Sequence, residues 1–528
     1  MSETNTVGDA APEASTENRD RFPMLGVIGL ALGMFLAMLD SFIVSTALPT
    51  IVGELGGLNS LAWVITAYTL ATAASTQIWG KLGDLYNRKT VFLASVTVFL
   101  IGSMLCGLAQ NMGQLITFRA LQGIGAGGLI VGALSIIGVL LPPREMVKIG
   151  TLTSSLMGIA FIGGPLVGGA LTDAFNWRWA FYVNVPFGIA SLAAVILGVH
   201  TALPTKKARI DIPGAILLTT GVTSLTLVTS WGGNKYAWGS AQIIGLCAAA
   251  VISLAALVFV EGRSAEPILP LRMFRTLNFT LAQILGFSFG LTIIVAVSFL
   301  PLYTQHVRGA TSSSSGLLLI PMMLGMVLVM TYAARWVRKT GHYRIFPIIG
   351  GISMTAGMLL LLRLGVHTDI WLSALFPVLI GIGLGCLMQN AVLITQSSVE
   401  PRDMGAAMGM SSLARTLGTG IGAAIFAAVY TNQLTDTLAD KLGKDDARPL
   451  LSSGDRDLTP DTLKQLSAPV RAAWSAGVTD GLHAVAIGGA IAGAITLLAA
   501  LFVREVPLRD PRQARVPRQD PPAADPAT

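Results

Sequence analysis

Residues 80–90 read Gly80-Lys-Leu-Gly-Asp-Leu-Tyr-Asn-Arg-Lys-Thr90 and lie between two long apolar segments. One acid, three bases and two glycines share this short stretch. Gly80 and Gly83 permit a tight turn and close approach of neighbouring helices. Asp84 and Arg88 stand four apart, the spacing for a side-chain pair on one helical turn. Lys89 adds a second base beside Arg88.

The rest of the chain supplies the setting. Of 528 residues, 53% are hydrophobic and only 12% are charged, with a mean hydropathy of +0.67. A soluble domain carries roughly 25% charged residues, so most of this chain belongs in lipid. The net charge of +7 does not point to nucleic acid. Its bases fall in short loops, where they set orientation in the bilayer. Cys106, Cys247 and Cys386 all fall inside apolar segments and form no surface disulfide framework. There is no G-x-x-x-x-G-K-[ST] loop, which argues against a nucleotide-driven machine.

A helix needs about 20 apolar residues to cross the hydrocarbon core. Fourteen segments qualify: 24–52, 60–80, 90–109, 113–141, 147–172, 179–200, 211–230, 239–261, 277–304, 314–334, 345–364, 370–395, 404–430 and 481–503. Residues 1–23 and 504–528 are polar and read as disordered tails. With both tails in the cytoplasm, the clusters Lys81/Arg88/Lys89, Lys206/Lys207/Arg209 and Arg335/Arg338/Lys339 all face inward. The loops at 53–59 and 110–112 carry no base and face out, as the positive-inside rule requires. One outer loop, 431–480, is long. Leu463, Leu466, Val470 and Trp474 recur within it at helical spacing, which predicts a short surface helix broken at Pro469.

A repeat is visible. Arg119-Ala-Leu-Gln-Gly-Ile-Gly-Ala-Gly127 aligns with Pro377-Val-Leu-Ile-Gly-Ile-Gly-Leu-Gly385. Two six-helix halves, 24–205 and 266–503, separated by an inserted pair at 206–265, give this offset. Transporters are commonly built from such repeats, with the binding site near the midplane between them. The predicted fold is therefore an all-α polytopic membrane protein.

Charge inside the spans is the sharpest functional clue. Asp40 lies near mid-depth in the first segment, within Met38-Leu-Asp-Ser-Phe-Ile-Val-Ser-Thr-Ala-Leu-Pro49. A carboxylate held there can take and release a proton as access alternates. Arg119 enters about 10 Å below the outer end of the fourth segment, within reach of that level. In the fifth, Gly158, Gly163, Gly164, Gly168 and Gly169 surround Pro165. Gly164 and Gly168 make a close-packing face, and Pro165 removes a backbone donor and kinks the helix. Trp177, Trp179 and Tyr182 then suit the outer aromatic belt. The second half offers Gln283, Gln305, Gln389, Asn390 and Gln396, with Arg415 inside the thirteenth segment. These are candidate substrate contacts.

Four of these stretches resemble signatures of the major facilitator superfamily. They are the helix 1 run from Asp40 to Pro49, the loop pattern G-x-L-x-D-x-x-x-R-K at 80–89, Arg119 with Gly123, and Gly158 to Gly169. Fourteen spans and the run Trp177-Arg-Trp-Ala-Phe-Tyr-Val-Asn-Val-Pro186 resemble the 14-helix drug:proton antiporters of the EmrB/QacA type. The resemblance implies a secondary transporter rather than an enzyme, in the plasma membrane, driven by the proton gradient without a cofactor or metal. It implies protons and amphipathic small molecules as its partners, and a monomer. Export of one self-made antibiotic or of a lipid is the alternative. By resemblance, Asp40 and Arg119 couple protons, and Gly80, Gly83, Asp84, Arg88 and Lys89 gate. Residues Gly158 to Gly169 then form an antiporter hinge. Members that export dications place extra acids in the second half, where this chain has Arg415 instead.

Overall fold

The computed structural model describes residues 24–55, 61–140, 167–199, 211–232, 239–264, 267–310, 317–443 and 467–505, with scattered positions between 152 and 164, Tyr236 and Ser315. In chain order the first half has α1 (Met24–Leu55), α2 (Leu61–Leu85), α3 (Arg88–Leu108) and α4 (Met112–Leu140). Then come α5, described at 163–164 and 167–174, and α6 (Trp179–Gly198). The inserted pair is α7 (Ile212–Trp231) and α8 (Ala241–Glu261). The second half has α9 (Leu277–Arg308), α10 (Ile320–Thr340), α11 (Ile345–Leu361), α12 (Ile370–Ser397), α13 (Met404–Leu442) and α14 (Ala468–Phe502). Among the described residues, eleven helices are long and apolar enough to cross a membrane.

Local chemistry sets the helix ends. The Asn87 side chain accepts from the N–H groups of Lys89 and Thr90 and so starts α3. Asp211 caps α7 and Ser240 caps α8 in the same way. Gly309 and Gly341 end α9 and α10 at φ of 66° and 78°, where a side chain would be strained. Midway along α9, residues Val295–Phe299 widen into a π turn just before Pro301, which has no N–H to give to the ladder.

The repeat seen in sequence is repeated in packing. In α4, Gly123 and Gly127 lie against the α2 backbone at Tyr68 and Thr72, and Gly125 lies against α3 at Phe99. In α12, Gly381 and Gly385 lie against the α10 backbone at Met322 and Met326, and Gly383 lies against α11 at Met354. A Cβ at any of these positions would collide with backbone or a fixed side chain, so both triplets serve one geometry. The pairings α1–α4, α1–α6, α2–α4, α3–α4 and α3–α6 recur as α9–α12, α9–α14, α10–α12, α11–α12 and α11–α14. The halves meet through α13, which packs on α2 and α4. The inserted α7 packs on α2 and α13 alike, burying Leu218, Val222 and Leu257 with Ala73 and Leu413.

Three expectations need correction. The long outer loop is much shorter than 431–480. Helix α13 continues past residue 430 to Leu442, and α14 begins at Ala468. The cause is a pair of apolar stripes, Tyr430/Leu434/Leu438 and Trp474/Val478/Leu482, which bury one another. Hence Val470 and Trp474 belong to the first turns of α14 and not to a surface helix; Leu463 and Leu466 lie outside the described residues. Pro469 sits in the first turn of α14, where a missing N–H costs nothing. Trp177 is buried rather than placed in an aromatic belt, because its indole N–H donates to Glu54 at 2.8 Å. Trp179 is exposed. Residues 1–23 and 506–528 lie outside the described residues.

Candidate functional site

Halfway along the 32-residue α1, Asp40 is fully buried. Its Oδ2 accepts from Arg119 Nη1 at 2.6 Å. Its Oδ1 accepts from Gln122 Nε2 at 2.8 Å and from Asn184 Nδ2 at 2.9 Å. Arg119 also donates to Gln122 Oε1 at 2.8 Å and to the Val64 carbonyl at 3.3 Å, and its guanidinium lies 4.0 Å over the Tyr68 ring. Four helices of the first half thus converge on one ion pair: α1, α2, α4 and α6. A charge pair removed from water is tolerable only when the remaining lone pairs and protons find partners. Here they do: both Asp40 oxygens and the Arg119 guanidinium have partners.

Sequence reasoning brought Asp40 and Arg119 together but missed the amides. Gln122 follows Arg119 by three residues, on the same helix face. Asn184 belongs to the Asn-Val-Pro run that opens α6 and is also buried, bonded to Ser103 at 3.0 Å. A buried amide at helical spacing from a buried arginine was the available signal.

The second constellation lies at the end of the seam where α2 runs into α3. Asp84 pairs with Arg88 at 2.6 Å, as the spacing implied. It also does something no local spacing reveals. Its Oδ1 accepts from Gly405 N at 2.9 Å and its Oδ2 from Ala406 N at 2.7 Å. One carboxylate from the first half therefore caps the N-terminus of α13 in the second half, where unpaired N–H groups and the helix dipole favour negative charge. Arg88 adds a bond to the Pro401 carbonyl at 2.7 Å. Gly80 lies against the Gly405 backbone so closely that neither has room for a Cβ. Gly83 has no such constraint. Lys89 turns away from the seam and donates to the Ile196 carbonyl near the end of α6.

In α5, Gly164 packs on Phe42 and Ile43 of α1, a few residues from Asp40. Nothing crowds Gly163 or Gly169, and Gly168 is buried. Gly158 and Pro165 lie outside the described residues. The second-half amides are dispersed. Gln283 of α9 reaches Thr395 and Ser411 at 3.4 and 3.5 Å, joining α9, α12 and α13. Asn390 donates to its own helix at Cys386, and Gln396 lies beside Met408. Gln389 is half-buried, and Gln305 binds Ser315 at the outer end of α9. The Arg415 side chain makes no hydrogen bond or ion pair among the described residues.

Two repeated helical halves, a buried ion pair at mid-depth and a polar latch across the seam define a secondary membrane transporter. The family model for the Major Facilitator Superfamily matches residues 30–423, and the chain belongs to that superfamily. It is a transporter, not an enzyme. It is 36% identical over 519 residues to an uncharacterized MFS-type transporter of Mycobacterium tuberculosis, covering 95% of this chain and 74% of that protein. It is similar at 36% identity to the multidrug transporter protein MdtP of Bacillus subtilis, over 76% of this chain and 74% of that protein. Multidrug resistance protein 3 of the same organism is 38% identical over 74% of this chain and 76% of its own length. Among solved structures, the human organic anion transporter MFSD10 superposes with a TM-score of 0.59 at 14% identity, over 91% of this chain and 99% of that one. The proton:xylose symporter XylE gives 0.54 at 15% identity, over 92% and 96%. At that identity the structural likeness speaks for the fold alone.

Proposed function

We propose that this chain is a proton-coupled antiporter that exports amphipathic small molecules from the cytoplasm across the plasma membrane. Both termini are cytoplasmic in this reading, and the working unit is a monomer with no cofactor beyond the proton gradient. The observation that carries it is the Asp40–Arg119 pair, fully buried halfway through the first half. No other acid of the sequence falls at mid-depth in a span. Protonation from outside removes the Asp40 charge, and Arg119 then has only amide and carbonyl acceptors. That change loosens the junction of α1, α2, α4 and α6. The latch of Asp84 on α13 holds the cytoplasmic ends of the halves together in the other phase of the cycle. A proton and a substrate thereby favour different arrangements of the same two halves. Relatives named as multidrug transporters support export over uptake.

The test uses everted vesicles with an imposed pH gradient and a panel of fluorescent drugs, with and without a protonophore. Wild-type protein accumulates at least one drug uphill, and the protonophore stops it. Asp40→Asn, expressed to the same level, retains downhill exchange but no uphill accumulation. Uphill accumulation by the Asn variant places the proton carrier elsewhere.

A further inference from the structure

We infer that the exported molecule carries an anionic group, a carboxylate or sulfonate, and that Arg415 receives it. This rests on the export reading above and adds to it the charge of the substrate.

Arg415 lies eleven residues beyond Met404, about 16 Å along α13 at 1.5 Å per residue. That is half of a hydrocarbon core of about 30 Å. The helix around it is enclosed. It touches α2, α4, α7, α9, α12 and α14, and none of residues 404–424 is exposed. Yet Arg415 is only half-buried, as are Ser411, Ser412, Thr416 and Thr419. We take this partial exposure to face the space between helices rather than lipid, since no residue of 404–424 is exposed. Ser411 and Thr419 flank Arg415 at four-residue spacing, but their hydroxyls are engaged by Thr395 and by the Arg415 carbonyl, which leaves the guanidinium as the free polar group of this face among the described residues.

Among the described residues this group has no counter-ion. The Arg415 guanidinium makes no hydrogen bond, ion pair or ring contact among the described residues; only the Arg415 carbonyl does, accepting from Thr419. Of the chain's 28 acids, Asp40 alone falls at mid-depth, and both its oxygens are occupied by Arg119, Gln122 and Asn184. Residues 147–172 contain no Asp or Glu. Asp403 lies about 18 Å down the helix axis and pairs with Arg272. Asp84 is held by Arg88 and the start of α13.

An arginine stays charged at any working pH, and its planar fork matches carboxylate geometry. An uncompensated charge at membrane depth is costly and usually functional. The first half neutralises its mid-depth cation internally, and the second half leaves its own facing the space. An anionic substrate completes the pair. A cationic substrate meets repulsion there, and a neutral one leaves the charge unmatched.

The test measures equilibrium binding of dansyl-labelled undecanoate and of its methyl ester to the full chain in phosphatidylcholine nanodiscs, without a pH gradient. The two probes differ in charge and hardly in shape, and the bilayer supplies no anionic lipid. Wild-type protein binds the carboxylate about tenfold or more tightly than the ester, the scale of one charge-assisted hydrogen bond. Arg415→Gln binds the two alike, and Arg415→Lys keeps part of the preference. Equal binding by the wild type overturns the inference, whatever the variants do. So does a preference that survives Arg415→Gln in monodisperse protein. A preference lost only when phosphatidylglycerol replaces phosphatidylcholine assigns Arg415 to lipid headgroups and overturns it too. Uphill transport is measured separately: its failure removes the antiport reading, and leaves the binding preference intact.

Discussion

Asp40 accepts three hydrogen bonds from side chains on two other helices, and Arg119 serves Asp40, Gln122 and the Val64 carbonyl together. That division of labour needs a fork. Lysine at 119 offers a single ammonium on a flexible stem, which cannot span the three acceptors, and it sheds its proton readily when buried. Arg119→Lys is therefore expected to lower uphill transport tenfold or more, with little loss of folded protein, measured as initial rates in vesicles of matched expression. Near-normal rates reduce Arg119 to a generic positive charge. Gln122→Ala removes one donor to Asp40 and one acceptor from Arg119, leaving two charged groups short of a partner. Its expected effect is a loss of thermal stability of order 2–3 kcal/mol, read from unfolding curves in detergent. An unchanged curve means water replaces the amide.

At the scale of elements, the decisive contact is the start of α13 on the end of α2. The Asp84 carboxylate holds two N–H groups of α13 and Arg88 holds the Pro401 carbonyl, while Gly80 and Gly405 bring the backbones together. A carboxylate at a helix N-terminus is worth about 0.3–2 kcal/mol. Asp84→Asn keeps the shape and removes the charge, so the latched arrangement loses weight by roughly two- to thirty-fold. Spin labels at the latched ends of α2 and α13 are expected to report a larger fraction of separated halves. Transport slows while substrate affinity stays near wild type, because the latch is remote from mid-depth. A variant with normal turnover and much weaker binding contradicts this assignment.

At the scale of the molecule, transport requires the two halves to part at one end and meet at the other. Val131 of α4 and Met404 and Met408 of α13 form one buried apolar cluster across the seam. With Cys106, Cys247 and Cys386 replaced, a short bifunctional thiol reagent joining Val131→Cys to Met408→Cys should stop transport, and a cleavable version should restore it on reduction. Transport that continues through the cross-link rules out parting at this seam. The inserted α7 sits against α2 and α13 both, with α8 packed on α7, so the pair braces the seam rather than extending either half.

The sequence by itself determined the membrane setting, the fourteen segments, the two-fold repeat and the identity of the buried pair. Each follows from local pattern: apolar length, glycine spacing, and the high cost of charge in lipid. Asp40 and Arg119 stood out because so few charges lie within spans, and Asp84 with Arg88 because four residues make one turn. Only the tertiary structure decided what those residues touch. Asn184 reaches Asp40 across 144 positions of sequence and Asp84 reaches Ala406 across 322, distances that no periodicity encodes. The outer loop was misjudged for a related reason. Its ends are polar enough to read as loop, yet they are helical because two stripes more than thirty residues apart bury each other. The solitude of Arg415 belongs to both levels. Sequence places no other acid within a span near its depth, and packing leaves the side chain half-buried on a stretch, 404–424, with no exposed residue.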